Sequence, residues 1–136
     1  MKRVLVAIIL LSAFTSAGNL LVKITNVAPK GGKIYVGLYT KEYVFANFTK
    51  IFRREVVNAD TKIVTLTFKD IPDGEYAISL FHDQNLNGKF DKNFLRIPKE
   101  GYAFSNNVRP AFRAAKFSEA NFLLQNREKI TIKMGY

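Results

Sequence analysis

Side chains that carry oxygen alternate through the segment HDQNLNGKFDKNF and suggest a cation-binding loop. Calcium prefers six to eight oxygen ligands at about 2.4 Å, and its loops supply them from positions 1, 3, 5, 7 and 9, with a glycine at position 6 for the bend. Counting from Asp83, Gly88 falls at position 6. The spacing therefore predicts a candidate calcium loop in which Lys89 contributes its carbonyl. Its ligands are Asp83, Asn85, Asn87, Lys89 and Asp91.

Two features of this loop leave a second interpretation open. Position 12 holds Phe94, where a calcium loop between two helices has a bidentate glutamate, and two of the predicted ligands are neutral amides. Calcium is the one cofactor that the sequence suggests, and we expect an affinity near the millimolar end of its range, with Glu100 as a ligand that the fold could bring close. Alternatively, Asn and Asp side chains accept bonds from neighbouring backbone amides and fold the turn without an ion.

His82 is the single histidine, and it directly precedes Asp83. The chain has one histidine and no cysteine, so it lacks the second histidine or the thiolate that a zinc site would need. A hydrolase that uses His82 with a nearby carboxylate, Asp83 or Glu100, is one alternative, but no G-x-S-x-G nucleophile motif accompanies it. A lone histidine at the end of a strand is more typical of a hydrogen-bonded structural residue, so we expect no enzyme activity.

The segment EGYAFSNN after the loop is a candidate ligand surface. If an ion orders the loop, the rings of this segment would stack on a sugar, as in a calcium-dependent carbohydrate-binding or adhesion module. The favoured alternative is that these aromatics pack the segment onto the core. The candidate surface comprises His82, Glu100, Tyr102, Phe104 and Asn106.

The first residues have the three parts of an export signal: a positive start in MKR, the apolar run VLVAIILLSAF, and small residues in TSAG. We expect residues 1–17 to be a signal peptide cleaved near Ala17, and residues 18–136 to be one β-sandwich domain. The apolar run is too short to span a bilayer comfortably, so we expect no membrane span after cleavage. The protein is then periplasmic or secreted, and its stability rests on an apolar core without disulfides.

The formal net charge is +10, and +8 remains once Lys2 and Arg3 are removed with the signal. Export argues against a nucleic-acid partner and towards an envelope polyanion or glycan. The favoured alternative is that these scattered charges only keep the protein soluble. We expect a monomer.

Hydrophobic alternation with a period of two predicts most of the fold. Residues 19–25 and 33–40 alternate on either side of APKGG, which predicts a hairpin. Val64, Leu66 and Phe68 share one face of a third strand, and residues 75–83 are apolar on both faces, as in a central strand. Two further runs, 120–125 and 129–134, end the chain.

The stretches between these strands lack periodicity. Residues 41–54 are rich in aromatics, and we expect a loop that packs Phe45 and Phe48 onto the sandwich. Residues 83–117 predict one long ordered loop, with a short helix that starts at Pro110. The sum is an all-β fold: a single antiparallel β-sandwich of about seven strands, immunoglobulin-like or prealbumin-like.

The run IPDGEYAISLFHDQNLNGKFDKNFLRIPKEGYAFSNN resembles an uncharacterised bacterial family, domain of unknown function twenty-one forty-one. Its members are similar in having a signal peptide, an H-D-x-N-x-N-G-x-x-D loop and an I-P-x-E-G-Y-x-F-S-N segment, which residues 97–106 match here. One departure is Arg96, where a small residue, often glycine, is expected. The resemblance implies an exported β-sandwich and supplies no established activity.

The strand GEYAISLFHD also resembles those of prealbumin-like and carboxypeptidase regulatory-like domains, which are mostly binding and accessory modules. Taken together, the sequence predicts an exported, non-catalytic binding or accessory module of the cell envelope. The calcium-dependent module and the hydrolase are its two alternatives.

Overall fold

The computed structural model describes residues 16–136 as two packed β-sheets. The predicted signal peptide, residues 1–17, lies outside the described residues except for Ser16 and Ala17. The strands are β1 (Ala17–Thr25), β2 (Lys33–Tyr39), β3 (Arg53–Asn58), β4 (Val64–Pro72), β5 (Gly74–Asp83), β6 (Tyr102–Phe104), β7 (Phe122–Leu124) and β8 (Arg127–Lys133). A 3-10 turn (Ser105–Asn107) and the helix α1 (Phe117–Ala120) complete the structure. Among the described residues, no helix is long and apolar enough to span a membrane.

The smaller sheet has the order β4-β1-β8, and the larger has the order β3-β2-β5-β6, with β7 also paired to β5. Of the strand pairs in residues 16–136, only β1 with β8 is parallel. The all-β prediction is confirmed, with eight strands where about seven were expected.

Alternating side chains from both sheets form the main core, since a strand presents every second residue to the same face. Leu20, Val22 and Ile24 of β1 are completely buried, as are Ile34 and Val36 of β2. The predicted face of β4 (Val64, Leu66 and Phe68) and alternate residues of β5 (Tyr76, Ile78 and Leu80) fill the space between the sheets. The prediction of a central strand for residues 75–83 is confirmed, because β5 pairs with β2 on one edge and with β6 and β7 on the other.

The predicted hairpin of β1 and β2 is wrong. β1 pairs with β4 and β8, whereas β2 pairs with β3 and β5 in the other sheet. The segment between them carries the chain across the core, and Asn26, Gly31 and Gly32 adopt positive φ along it. Both strands bury one face in the same core, so their alternation is what a hairpin would also show.

The 41–54 stretch packs as predicted but ends earlier than predicted. The Phe48 ring meets Phe81 edge-on at 4.7 Å, and the Phe45 ring meets Tyr39 edge-on at 5.3 Å. From Arg53 the chain forms the edge strand β3, which sequence reasoning missed. Its side chains are mostly exposed, so β3 lacks the apolar alternation that reveals a half-buried strand.

The long segment after β5 holds only the three residues of β6 as strand, close to the predicted loop. The helix predicted at Pro110 is wrong: residues 108–116 are irregular, and α1 begins at Phe117. The start of α1 is set by Glu119, whose carboxylate accepts the backbone N–H of Lys116 at 2.8 Å. A proline at 110 permits a helix start but supplies no such bond.

The outer face of the larger sheet is covered by irregular segments, which we call the loop layer (residues 40–52, 84–101 and 105–121). A second apolar cluster, separate from the main core, lies between this layer and the sheet. It comprises Ala77, Phe104, Ala115 and Ala120, with Phe45, Ala46, Tyr102, Val108 and Phe117 packed against it. Ala77, Ser79 and Phe81 of β5 point to this side, since their neighbours Tyr76, Ile78 and Leu80 point to the main core. All of the predicted site residues except His82 lie in the loop layer or point towards it.

Candidate functional site

The Asp83 carboxylate organises the candidate calcium loop by accepting backbone amides. Asp83 is buried; its Oδ1 accepts the N–H of Asn87 at 3.2 Å, and its Oδ2 accepts the N–H of Gly88 at 2.8 Å. Gly88 has φ of 75°, the left-handed conformation that glycine adopts most easily. The loop therefore bends where the Asn-Gly pair indicates, and the Asp83 oxygens hold the bend.

Two of the predicted ligands, Asn85 and Asn87, meet a third at Asp91, whereas Lys89 makes no bond to it. The Asp91 carboxylate accepts Nδ2 of Asn85 at 2.8 Å and Nδ2 of Asn87 at 2.8 Å and 3.0 Å. These bonds, from Asn87 first and then Asn85, lower the pKa of Asp91. The amide oxygens face the chain instead: Asn85 Oδ1 accepts the N–H of Asn87 at 3.3 Å, and Asn87 Oδ1 accepts the N–H of Lys89 at 2.9 Å.

Glu100 closes the loop from its far end. It is buried, and its two oxygens accept the N–H of Gln84 at 3.2 Å and that of Asp91 at 3.0 Å. Burial raises the pKa of Glu100. Among residues 16–136, no three acidic, histidine or cysteine side chains group as metal ligands. The two asparagines turn nitrogen towards Asp91 and oxygen towards backbone amides, which is the hydrogen-bonding pattern of Asx turns.

His82 is completely buried between β2 and the end of the chain. Its Nε2 lies 2.7 Å from the carbonyl of Gly31, and its Nδ1 lies 2.8 Å from the hydroxyl of Tyr136. A carbonyl only accepts, so Nε2 carries the proton, and in the neutral ring Nδ1 accepts from Tyr136. That hydroxyl in turn accepts the N–H of Ala28 at 2.8 Å. Both ring nitrogens are thus occupied within the protein.

The other members of the predicted ligand surface are engaged in packing. Phe104 is buried, and Tyr102 is half-buried with the guanidinium of Arg109 4.0 Å from its ring centroid. The Asn106 Nδ2 donates to the carbonyls of Glu119 at 3.1 Å and Asn121 at 2.8 Å. The structure places both rings in the walls of a cavity.

This cavity lies in the loop layer, over the outer face of β5, and encloses about 540 Å³. Small-molecule sites typically measure about 300–1,000 Å³. Four aromatic rings line it, and Leu80 and Ser79 contribute from β5. The rings are those of Phe48, Phe90, Tyr102 and Phe104, with Phe112 at the margin. We call this space the loop-layer pocket.

Three cationic side chains line the loop-layer pocket, and no carboxylate among the described residues does. They are Lys92, Arg96 and Arg113. Arg113 is held by Glu119, with bonds of 2.7 Å and 2.8 Å between its nitrogens and the carboxylate oxygens. This pairing, together with the amide bond from Lys116, lowers the pKa of Glu119 to about 2. The walls of the pocket are therefore apolar, and the charged side chains that line it are all cationic.

A buried phenol lies beside the pocket floor. The Tyr39 hydroxyl is completely buried and finds no hydrogen-bond partner among residues 16–136. Burial raises the pKa of Tyr39, with the Arg54 charge opposing it. A Cβ built on Gly37 would lie 2.9 Å from this hydroxyl, and Gly37 pairs directly with Ser79, which lines the pocket. Paired residues have Cβ atoms about 4.5–5.5 Å apart, so the phenol and Ser79 are neighbours on one face.

Comparison with known proteins places the chain in a family. The family described as "Uncharacterized protein conserved in bacteria (DUF2141)" matches residues 22–132. The chain belongs to this family. The match spans both the Asp83–Asp91 loop and the whole lining of the loop-layer pocket. No curated protein and no solved structure matches the chain.

Arg96, the departure from the expected DUF2141 pattern, sits in a conformation that suits glycine. Its φ is 60°, and its N–H donates to the carbonyl of Asn93 at 2.9 Å. The Asn93 side chain accepts the amides of Leu95 at 2.9 Å and Ile97 at 3.0 Å, which holds the turn. In this DUF2141 chain Arg96 thus adopts the left-handed conformation and also adds a cation to the pocket.

Sequence reasoning missed the loop-layer pocket. Its walls come from residues far apart in the chain, and no motif links Phe48, Ser79 and Phe112. The available signal was the long aperiodic segment itself, which in a small domain usually carries function. Its composition was the second signal, because eleven of the 25 residues at 89–113 are aromatic or basic.

Proposed function

We propose that this DUF2141 chain is an exported, non-catalytic binding module of the cell envelope, and that its loop-layer pocket binds an anionic amphiphile. The observation that carries the proposal is the chemistry of the pocket, with aromatic walls, cations and no carboxylate among its described lining residues. An apolar body with one negative group satisfies both the walls and the charges.

The polar floor supports the same proposal. A buried hydroxyl without a partner costs about 1–3 kcal/mol, so such groups in folded proteins usually have a functional reason. Tyr39 does not itself line the pocket, but its hydroxyl lies on the same face as Ser79, which does, and a water that accompanies a ligand would satisfy the phenol.

A non-catalytic role is supported by the position of His82. Its two ring nitrogens bond Gly31 and Tyr136, and the ring is completely buried. A general base must reach the proton that it abstracts, and this ring does not line the pocket. The sugar-stacking alternative has less support, because Arg109 covers one face of the Tyr102 ring and Phe104 is buried.

Calorimetric titration with three amphiphiles of one chain length tests the proposal: dodecanoate and dodecyltrimethylammonium below their micellar concentrations, and dodecanol below its solubility limit. We expect dodecanoate to bind in a one-to-one ratio and the cationic amphiphile not to bind. Arg96→Gln should weaken dodecanoate about tenfold, as loss of a charge-assisted bond does, while Lys62→Gln, outside the pocket lining, should not. Equal binding of all three amphiphiles, or no binding, would show that the pocket does not select anions.

Ser79→Leu provides a second variant, since its side chain fills the pocket floor without changing any charge. Unchanged dodecanoate affinity in a folded Ser79→Leu protein would place the ligand elsewhere. Export is tested separately by the intact mass of the native protein from periplasm and medium. Retention of Met1 would contradict the proposed cleavage near Ala17.

A further inference from the structure

Exposed apolar side chains concentrate at the mouth of the loop-layer pocket. Two segments form this mouth, and we call them the rim loops (residues 92–98 and 108–114). Phe94 is 93% exposed and Phe112 is fully exposed, and Leu95 and Ile97 are more than half exposed beside them. These are the only two phenylalanines among the strongly exposed residues of the described chain.

The charged residues within the rim loops are all cationic: Lys92, Arg96, Arg109 and Arg113. The charge of Arg113 is offset by its ion pair with Glu119. The wider segment 84–116 has seven lysines and arginines against two carboxylates, so its net charge of +5 is most of the +8 carried by residues 18–136. The two carboxylates, Asp91 and Glu100, are occupied by hydrogen bonds inside the loop.

We propose that the rim loops dock on an anionic phospholipid bilayer, with Phe94 and Phe112 entering the headgroup region. Aromatic side chains are favoured at that depth, and long cationic side chains reach phosphates from it. Binding of this kind grows with the apolar area inserted and with the attraction to anionic lipid. The proposal goes beyond the ligand of the pocket, since it rests on the exposed rings and does not require the pocket to be filled.

Shape and charge favour a bilayer over a protein at this surface. The two rings project without neighbouring side chains against them, so a protein partner would need a matching socket for each. A bilayer interface accepts a projecting ring without such a match. A second copy is disfavoured because a two-fold contact would bring Lys92, Arg96 and Arg109 of one rim against the same cations of the other.

Flotation with lipid vesicles tests the proposal on the exported chain. Vesicles of phosphatidylcholine alone are compared with vesicles that also contain phosphatidylglycerol, at about 0.1 M salt, where the Debye length is about 10 Å. We expect binding to the anionic vesicles only. The double variant Phe94→Ser/Phe112→Ser should weaken it at least about tenfold, because both inserted rings are removed. The matched control Ile63→Ser/Leu123→Ser removes two half-exposed apolar side chains outside the pocket lining and should bind as the wild type does.

A third variant separates this surface from the pocket. Ser79→Leu should lose dodecanoate and keep vesicle binding, whereas the rim variant should lose vesicles. Docking is overturned by equal binding to the two vesicle compositions, by no binding, or by equal losses in the rim and control variants. It is also overturned if the rim variant changes only the oligomeric state in gel filtration, which would make the surface a contact between copies.

Discussion

The phenol of Tyr39 occupies the space that a side chain at residue 37 would fill. A Cβ on Gly37 would lie 2.7 Å from the Tyr39 ring and 2.9 Å from its hydroxyl, closer than such contacts allow. Glycine at position 37 thus leaves room for the Tyr39 ring to fold back over its own strand. The result is a buried hydroxyl directly across from Ser79, on the face that the loop layer covers.

Replacement of Tyr39 by phenylalanine separates the two roles of this phenol. Removal of a buried hydroxyl that has no partner relieves its desolvation, so the melting temperature of Tyr39→Phe should equal or exceed that of the wild type. Dodecanoate affinity should fall about fivefold, the value of one hydrogen bond of about 1 kcal/mol. Tyr43→Phe, which removes the hydroxyl of a partly exposed tyrosine, is the matched control and should change neither quantity. A clear loss of stability in Tyr39→Phe would mean that the hydroxyl has a structural partner.

The same phenol predicts how stability depends on alkaline pH. Burial raises the pKa of Tyr39 above its ordinary value of 10.0. The unfolded chain therefore loses this proton first, so the stabilisation is complete below about pH 10 and declines as pH rises through the folded-state pKa. Each pH unit above 10 should remove about 1.4 kcal/mol through this one group. Urea unfolding between about pH 9 and pH 11 should therefore show a steeper decline for wild type than for Tyr39→Phe, and parallel declines would contradict the burial.

The faces of the strands were predictable from the sequence, whereas their partners were not. Val22 and Ile34 are both buried in the main core, as their alternation indicates. Alternation is the same whether two strands pair or face each other across a core, and the predicted hairpin failed for that reason. Edge strand β3 was missed because its exposed residues carry no alternation at all.

The turn chemistry was predictable because it is local. Gly88 adopts the left-handed conformation that the Asn-Gly pair suggests, and Arg96 adopts it where a glycine was expected. The loop-layer pocket was not predictable, because packing between distant segments creates it. Phe48, Phe90 and Phe112 meet only after the sheets have formed.

Glycine should be required at position 88 because of the backbone conformation there, and not because neighbouring atoms leave no space for a side chain. An added Cβ would have the Tyr35 hydroxyl at 3.8 Å as its nearest contact, which is ordinary packing. Gly88→Ala should therefore cost about 1–2 kcal/mol, the price of left-handed backbone for a residue with a Cβ. Gly88→Asn should cost less, since asparagine tolerates this conformation. Gly74→Ala, whose Cβ would meet Tyr76 at 3.7 Å without a positive φ, is the control in chemical denaturation. Equal midpoints for Gly88→Ala and Gly88→Asn would contradict this explanation.

Asp83 should stabilise the loop through its amide bonds, with or without calcium. Asp83→Asn replaces one acceptor by a donor that faces a backbone N–H, and leaving such a group unsatisfied costs about 1–3 kcal/mol. Because the asparagine oxygens already accept backbone amides, we expect wild type to melt at the same temperature in chelator and in about 10 mM calcium. Asp91→Asn, at a partly exposed position, should lose less than Asp83→Asn in both buffers.

If the loop does bind calcium, the ion should raise the stability of the protein by a definite amount. An ion with a dissociation constant near 1 mM would add about 1.4 kcal/mol at 10 mM calcium, a shift of a few degrees in a domain of this length. If that shift occurs in wild type and disappears in both Asp83→Asn and Asp91→Asn, the asparagine amides must rotate to offer oxygen, and the loop is a calcium site. The calcium-dependent module would then replace the Asx-turn interpretation. If both buffers give one melting temperature while Asp83→Asn is destabilised equally in each, the alternating oxygens of this loop serve the backbone alone.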